Sequence, residues 1–383
     1  MDEWPTVPLG DLAEFGSGGT PNMSEPSYWD GDIPWISAAS LKQPRLASSD
    51  RNVTQAAIGN GTKMAPAGST LLLVRGMSLH KEIRVGRATR DLAFNQDVKS
   101  LRARPNIDEA FLFYALDGRR DELLSMVHSA GHGTGVLATD RLKGMLIALP
   151  EIDEQRRIAG VLGALDDLIE TNRQQISRLR DTAQVCFDAA AQVGDEVTFG
   201  DVAHLVREGV SANDLSVGTR YLGLEHFNTD GAGIAGVGDA GGMDSGKSRF
   251  TAGDVLYGKL RPYFRKYDRP GFDGVCSTEI WVLRGTEPYG SATVAALVRR
   301  PEFTDFAMQG SGGTRMPRAD WRHVASMAVA VPRREQLEDV EAHLNALWRA
   351  RVALQDEITD LTRVRDELLP LLMSGRVRVR GVA

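Results

Sequence analysis

The stretch VPLGDLA at residues 7–13 is answered by VTFGDVA at residues 197–203. More echoes come in the same order. AGSTLL (67–72) returns as AGDVLY (252–257), FNQDVKSLR (94–102) as CSTEIWVLR (276–284), and GHGT (131–134) as SGGT (311–314). Each half then runs through an apolar stretch to a proline, IALP to Pro150 and VAVP to Pro332, and on to Glu154-Gln155 or Glu335-Gln336. Order and spacing are both kept, so one unit of roughly 190 residues is written twice.

Each copy reads in two parts. The first is short alternating or apolar runs such as TLLLVR (70–75), DVLYGKL (254–260) and EIWVLR (279–284), punctuated by Gly, Pro, Asn and Asp, which predicts strands and turns. EAFLFYAL (109–116) reads as a helix, so the class is α+β. The second part is one long heptad helix. In the first copy Ile158, Leu162, Leu165, Ile169, Asn172, Ile176, Leu179, Ala183 and Cys186 alternate at spacings of four and three. Asn172 is the polar exception, a residue type that fixes register in a coiled-coil seam. In the second copy the stripe is Leu337, Val340, Leu344, Leu347, Arg351, Leu354, Ile358, Leu361, Arg365, Leu368 and Leu372. A single such stripe would pack against its own domain. Two, one per copy, favour pairing with each other, antiparallel if a two-fold axis relates the copies. About 40 residues make a rod of about 60 Å. The expected architecture is two tandem α/β heads at 1–150 and 193–332. They are separated by two long antiparallel coiled-coil helices at 151–192 and 333–374, with a basic tail at 375–383.

Composition narrows the function. No apolar run approaches the roughly 20 residues of a membrane helix, and the acidic, polar opening MDEWPTV predicts no secretory leader. Two cysteines, Cys186 and Cys276, suit a reducing cytoplasm rather than a disulfide scaffold. The net charge of −6 speaks against a chain that coats nucleic acid indiscriminately, but charge is unevenly placed. Residues 75–90 hold Arg75, Lys81, Arg84, Arg87 and Arg90 against Glu82. Residues 247–270 hold Lys247, Arg249, Lys259, Arg261, Arg265, Lys266 and Arg269 against Asp254 and Asp268.

Several motifs invite a catalytic reading. GGMDSGKS (241–248) matches the phosphate-loop pattern GxxxxGK[ST], which works only between a strand and a helix. The repeat sets Gly61-Thr62-Lys63 opposite Gly246-Lys247-Ser248, without the triplet, and the residues after Ser248 read as turn and strand. Gly236-x-Gly238-x-x-Gly241 lies in the same loop and fails for the same reason. His128 and His132 have helical zinc-ligand spacing, but glycines break the helix. Asp97-Val98-Lys99 has the DxK order of metal-dependent nucleases, yet its repeat partner is Glu279-Ile280-Trp281. No GxSxG elbow occurs. A phosphate-loop NTPase or metal-dependent nuclease acting on DNA is the alternative; the expectation is a chain with no catalytic residues, no metal and no cofactor of its own.

GSGGTP (16–21), YWDGDIPW (28–35), LPEIDEQRRI (149–158) and VPRREQ (331–336), in duplicated order over essentially the whole chain, resemble the DNA-specificity subunits of type I restriction–modification systems. The second head departs from that pattern, with VGTRYLGLEHF (217–227) in place of the tryptophan-rich motif. The resemblance implies two target-recognition domains separated by two long antiparallel helices, and a non-catalytic role. It also implies partners: double-stranded DNA, two methyltransferase subunits using S-adenosylmethionine, and restriction or translocase subunits consuming ATP.

Reading base edges requires forked donors and amides, while holding register requires phosphate contacts. The DNA-binding candidates in the first head are Arg75, His80, Lys81, Arg84, His132 and Thr134. In the second they are Lys247, Arg249, Lys259, Arg261, Arg265, Lys266, Arg315 and Arg318. Because the heads differ, the expected target is bipartite and asymmetric, one half-site per head.

Overall fold

The computed structural model describes residues 4–130, 133–313 and 315–379. The chain divides into two compact units: the residues up to Ile169 with those from Asp360 onward, and Glu170–Thr359. Each contains one head and a segment of both long helices, Ile152–Ala191 and Arg334–Met373, each of 40 residues. Each long helix thus contributes residues to both units.

In the first unit Val98–Ala103 lies between Ala13–Ser17 and Thr70–Leu73, antiparallel to both, and Val85–Ala88 extends that sheet. A second sheet pairs Leu92–Phe94 in parallel with Trp29–Ile36 and antiparallel with Lys63–Ala65. TLLL is apolar at nearly every position because Thr70–Leu73 is buried on both faces. Helix Glu109–Asp117 is capped by Asp108, whose carboxylate accepts from the Phe111 N–H, and it buries Phe111 through Leu116. Ile158 and Leu162 of the first long helix join this core, with Leu369, Leu372 and Met373 of the second. The helices are antiparallel here: Arg365 meets Asp166 at 3.1 Å, and Arg378, beyond the second helix, meets Glu154 at 3.0 Å.

The second unit repeats this plan. Ile280–Gly285 lies between Ala203–Leu205 and Val255–Gly258, antiparallel to both, and Tyr267–Asp268 extends the sheet. Gly274–Cys276 runs parallel to Arg220–Leu222 and antiparallel to Lys247–Phe250. Within this unit too the helices are antiparallel. Cys186 Sγ lies 3.8 Å from His343 Nε2, and Arg180 and Arg351 share Asp268.

The heptad stripes are largely interior. Ile158, Leu162, Ile169, Asn172, Ile176, Leu344 and Ile358 are buried, while Leu165, Leu179, Leu347, Leu354, Leu361 and Leu368 are half-buried. The stripe does two jobs, since part of it completes the core of a head. The two arginines that interrupt the second stripe have a physical cause. Arg365 holds buried Asp166, which also accepts the Tyr114 hydroxyl at 2.7 Å, and Arg351 holds Asp268 at 2.6 Å. Each is a polar lock between helix and head.

GSGGTP and YWDGDIPW serve as scaffold. A Cβ added at Gly18 would lie 2.0 Å from the Phe94 carbonyl oxygen, and one at Gly19 would lie 2.1 Å from that of Gly61. Trp35 donates from Nε1 to Gly19 O at 3.1 Å and meets Trp29 edge-on. In the second head Tyr221 holds the place of Trp35 on the parallel strand and meets His226 edge-on, so an aromatic scaffold persists without the tryptophans.

Candidate nucleic-acid interface

In each head the chain leaves the sheet after an apolar strand and enters a short 3-10 turn, Met77–His80 in one and Pro262–Phe264 in the other. A second segment from just before the last short helix is clipped to it. In the first head the hairpin of His128–Ala130 and Thr134–Val136 pairs onto Arg75–Gly76, and a His80 ring nitrogen (Nε2) lies 3.0 Å from Gly133 O. In the second, Leu260 bridges Arg318, and the Arg261 N–H donates to Pro317 O at 2.8 Å. The same two-segment knot is built twice, which the echo of GHGT and SGGT only hinted at.

This knot brings Arg75, His80, Lys81 and Thr134 together, the first three exposed and Thr134 half-buried. Arg84 is turned inward, donating to Ala38 O at 2.7 Å and paired with Glu82. His132 lies outside the described residues. In the second head Arg249, Arg315 and Arg318 are exposed. Arg249 pairs with Glu208 at 2.9 Å. Glu279 grips Arg318 through two hydrogen bonds, which raise the guanidinium above its usual range. Lys259, Arg261, Arg265 and Lys266 are half-buried. Arg265 donates to Arg299 O at 2.8 Å and Lys266 to Leu224 O at 2.7 Å, so both buttress the loop from inside.

Lys247 requires a correction. It is 7 % exposed; its ammonium donates to Ser245 O and Oγ, both at 2.7 Å, and sits over the Tyr221 ring. It is a strand residue facing inward, not a loop lysine free to touch DNA. Lys247–Phe250 is a strand, so GGMDSGKS has no helix N-terminus behind it to receive phosphate. The other glycine pattern also meets a strand, Gly238–Asp239.

The remaining catalytic motifs resolve as structure. His128 opens a hairpin strand rather than a zinc helix. The Asp97 carboxylate accepts from Asn95 Nδ2, and Lys99 reaches Ser17 Oγ. Among the described residues no group of three His, Cys, Asp or Glu side chains is placed to hold a metal ion. No helix among them is long and apolar enough to cross a membrane.

The knots also carry apolar side chains that the charge count overlooks: Met77 in the first head, and Tyr263, Phe264 and Met316 in the second, between 37 % and 76 % exposed. The aromatic pair inside RPYFRK was the readable signal.

Residues 1–180 match the family model described as type I restriction modification DNA specificity domain. The specificity subunit of type I restriction enzyme EcoR124I/EcoR124II from Escherichia coli is 28 % identical over 178 residues, covering 46 % of this chain and 44 % of the relative. The type I restriction enzyme MjaIX specificity subunit from Methanocaldococcus jannaschii is 29 % identical over 178 residues, covering 45 % and 40 %. The matched stretch thus spans less than half the length of these curated relatives. The fold is similar to the crystal structure of a type I restriction–modification S subunit from M. genitalium, with a TM-score of 0.59 at 15 % identity over 96 % of both chains. Through its first 180 residues the chain is therefore similar to the type I restriction modification DNA specificity domain.

Proposed function

We propose that this chain is the sequence-reading, non-catalytic subunit of a type I restriction–modification complex, each head reading one half of a bipartite, asymmetric DNA target. The observation that carries this reading is the DNA-specificity match over residues 1–180, with the same loop knot built again on the second head. Exposed guanidinium groups supply forks for guanine edges and charges for phosphates. For a chain of net charge −6, weak intrinsic affinity follows, and partners would supply much of the phosphate clamp. In this reading two methyltransferase subunits bind S-adenosylmethionine and modify adenine, restriction subunits consume ATP, and the complex works in the cytoplasm.

The test is to map methylated adenines in cells expressing the chain with a methyltransferase subunit, and again with the chain deleted. A bipartite methylated motif that vanishes on deletion is the expected result. Methylation unchanged by the deletion would remove the role.

A further inference from the structure

The most unusual backbone on the knot of the second head surrounds its aromatic tip. Arg261 (φ 51°) and Arg265 (φ 49°) are both left-handed, bracketing Pro262–Phe264. Non-glycine residues hold this conformation only where the surroundings over-determine it. Here they do: the Arg261 N–H bonds Pro317 O and the Arg265 N–H bonds Pro262 O. In turn Phe264 O accepts from Asp230 and Arg265 O from Gly231, at 2.8 to 3.0 Å throughout. The Lys266 and Arg265 side chains tie the flank to Leu224 O and Arg299 O. This scaffolding holds two neighbouring aromatic rings out in solvent. Tyr263 is 46 % and Phe264 37 % exposed, with centroids 4.6 Å apart.

Single exposed apolar residues elsewhere, such as Val217 or Val185, need no explanation. A braced aromatic pair set between two left-handed arginines, in a knot that also carries Lys259, Lys266, Arg315 and Arg318, does. Hydration disfavours it, and the surrounding charge favours a polyanion with flat apolar faces, which is a stacked base step. Met77, 76 % exposed, stands at the corresponding turn of the first head, flanked by Arg75 and Lys81.

Resting on the DNA-reading role above, we propose that Tyr263 and Phe264 form a wedge that enters the duplex at the half-site of the second head and opens one base step. Specificity at that step is then read through the ease of unstacking, which favours flexible pyrimidine–purine steps, rather than through base-edge hydrogen bonds.

The experiment uses the full chain, alone and assembled with its methyltransferase subunits, to enrich a duplex from a random-sequence pool. Aminopurine, a base whose fluorescence is quenched by stacking, is then moved through the enriched half-site. The expected result is brightening at one position on binding. Tyr263→Ala/Phe264→Ala loses the brightening and binds about 5- to 100-fold more weakly. Both side chains are at the surface, so an unchanged melting curve shows the variant folded, and Phe264→Tyr should retain the brightening. A complex that binds its duplex yet brightens nowhere overturns the wedge alone. So does a variant that keeps the brightening, or one that loses only methyltransferase assembly. A complex that enriches no duplex overturns the DNA-reading role, and the wedge falls with it.

Discussion

Gly18 and Asp268 show how much single positions carry. Gly18→Ala puts a methyl group 2.0 Å from the Phe94 carbonyl oxygen, where only backbone movement relieves the clash. It should cost the first head about 1–3 kcal/mol, seen as a lower denaturation midpoint. Burial alone would push the Asp268 carboxyl up, but Arg351, Arg180 and two backbone N–H groups outweigh it and hold it below the usual carboxylate range. Asp268→Asn leaves two buried guanidinium groups short of a counter-charge and should cost about 3–5 kcal/mol at neutral pH. A lowered pKa in the folded state gives stability that is complete above the unfolded value, about 4, and fades as pH falls through the folded one. The gap between wild type and variant in urea midpoints should therefore shrink as pH drops below about 4. Lys247, buried over Tyr221, should leave DNA binding nearly unchanged when mutated conservatively to Met, read by a binding titration. Which cations exist was legible in the sequence; which way they point was not. Long side chains bend to whichever carbonyl the fold brings near, as Arg84, Arg265 and Lys266 do.

At the scale of elements, the helices were the most legible part, because a heptad over 40 residues has no strand-like reading. The interruptions were not. Arg351 and Arg365 look like surface positions until the fold brings Asp268 and Asp166 beneath them. Asn172 is buried, its amide nitrogen unpaired among the described residues. Asn172→Leu should raise stability by about 1–3 kcal/mol, because an unsatisfied buried donor is removed and apolar surface added. A loss of register uniqueness should accompany it, visible as broader amide resonances along the helices despite a higher melting temperature.

For the whole molecule, duplication was readable because strand positions and breakers recur even where identities drift. The loop knots were not, since they depend on segments 53 to 61 residues apart that no local pattern joins. Exchanging residues 197–330 for those of another subunit should change one half of the methylated motif and leave the other intact, a result that motif mapping reads directly. The nesting of the two compact units bears on the order of synthesis. Glu170–Thr359 is one unbroken stretch, whereas the unit containing the first head is closed only by the residues from Asp360 onward, Leu369, Leu372 and Met373 among its core. On the ribosome the half encoded first is therefore the half completed last. The nascent first head must wait, with part of its apolar surface uncovered, until the segment from Asp360 onward has emerged.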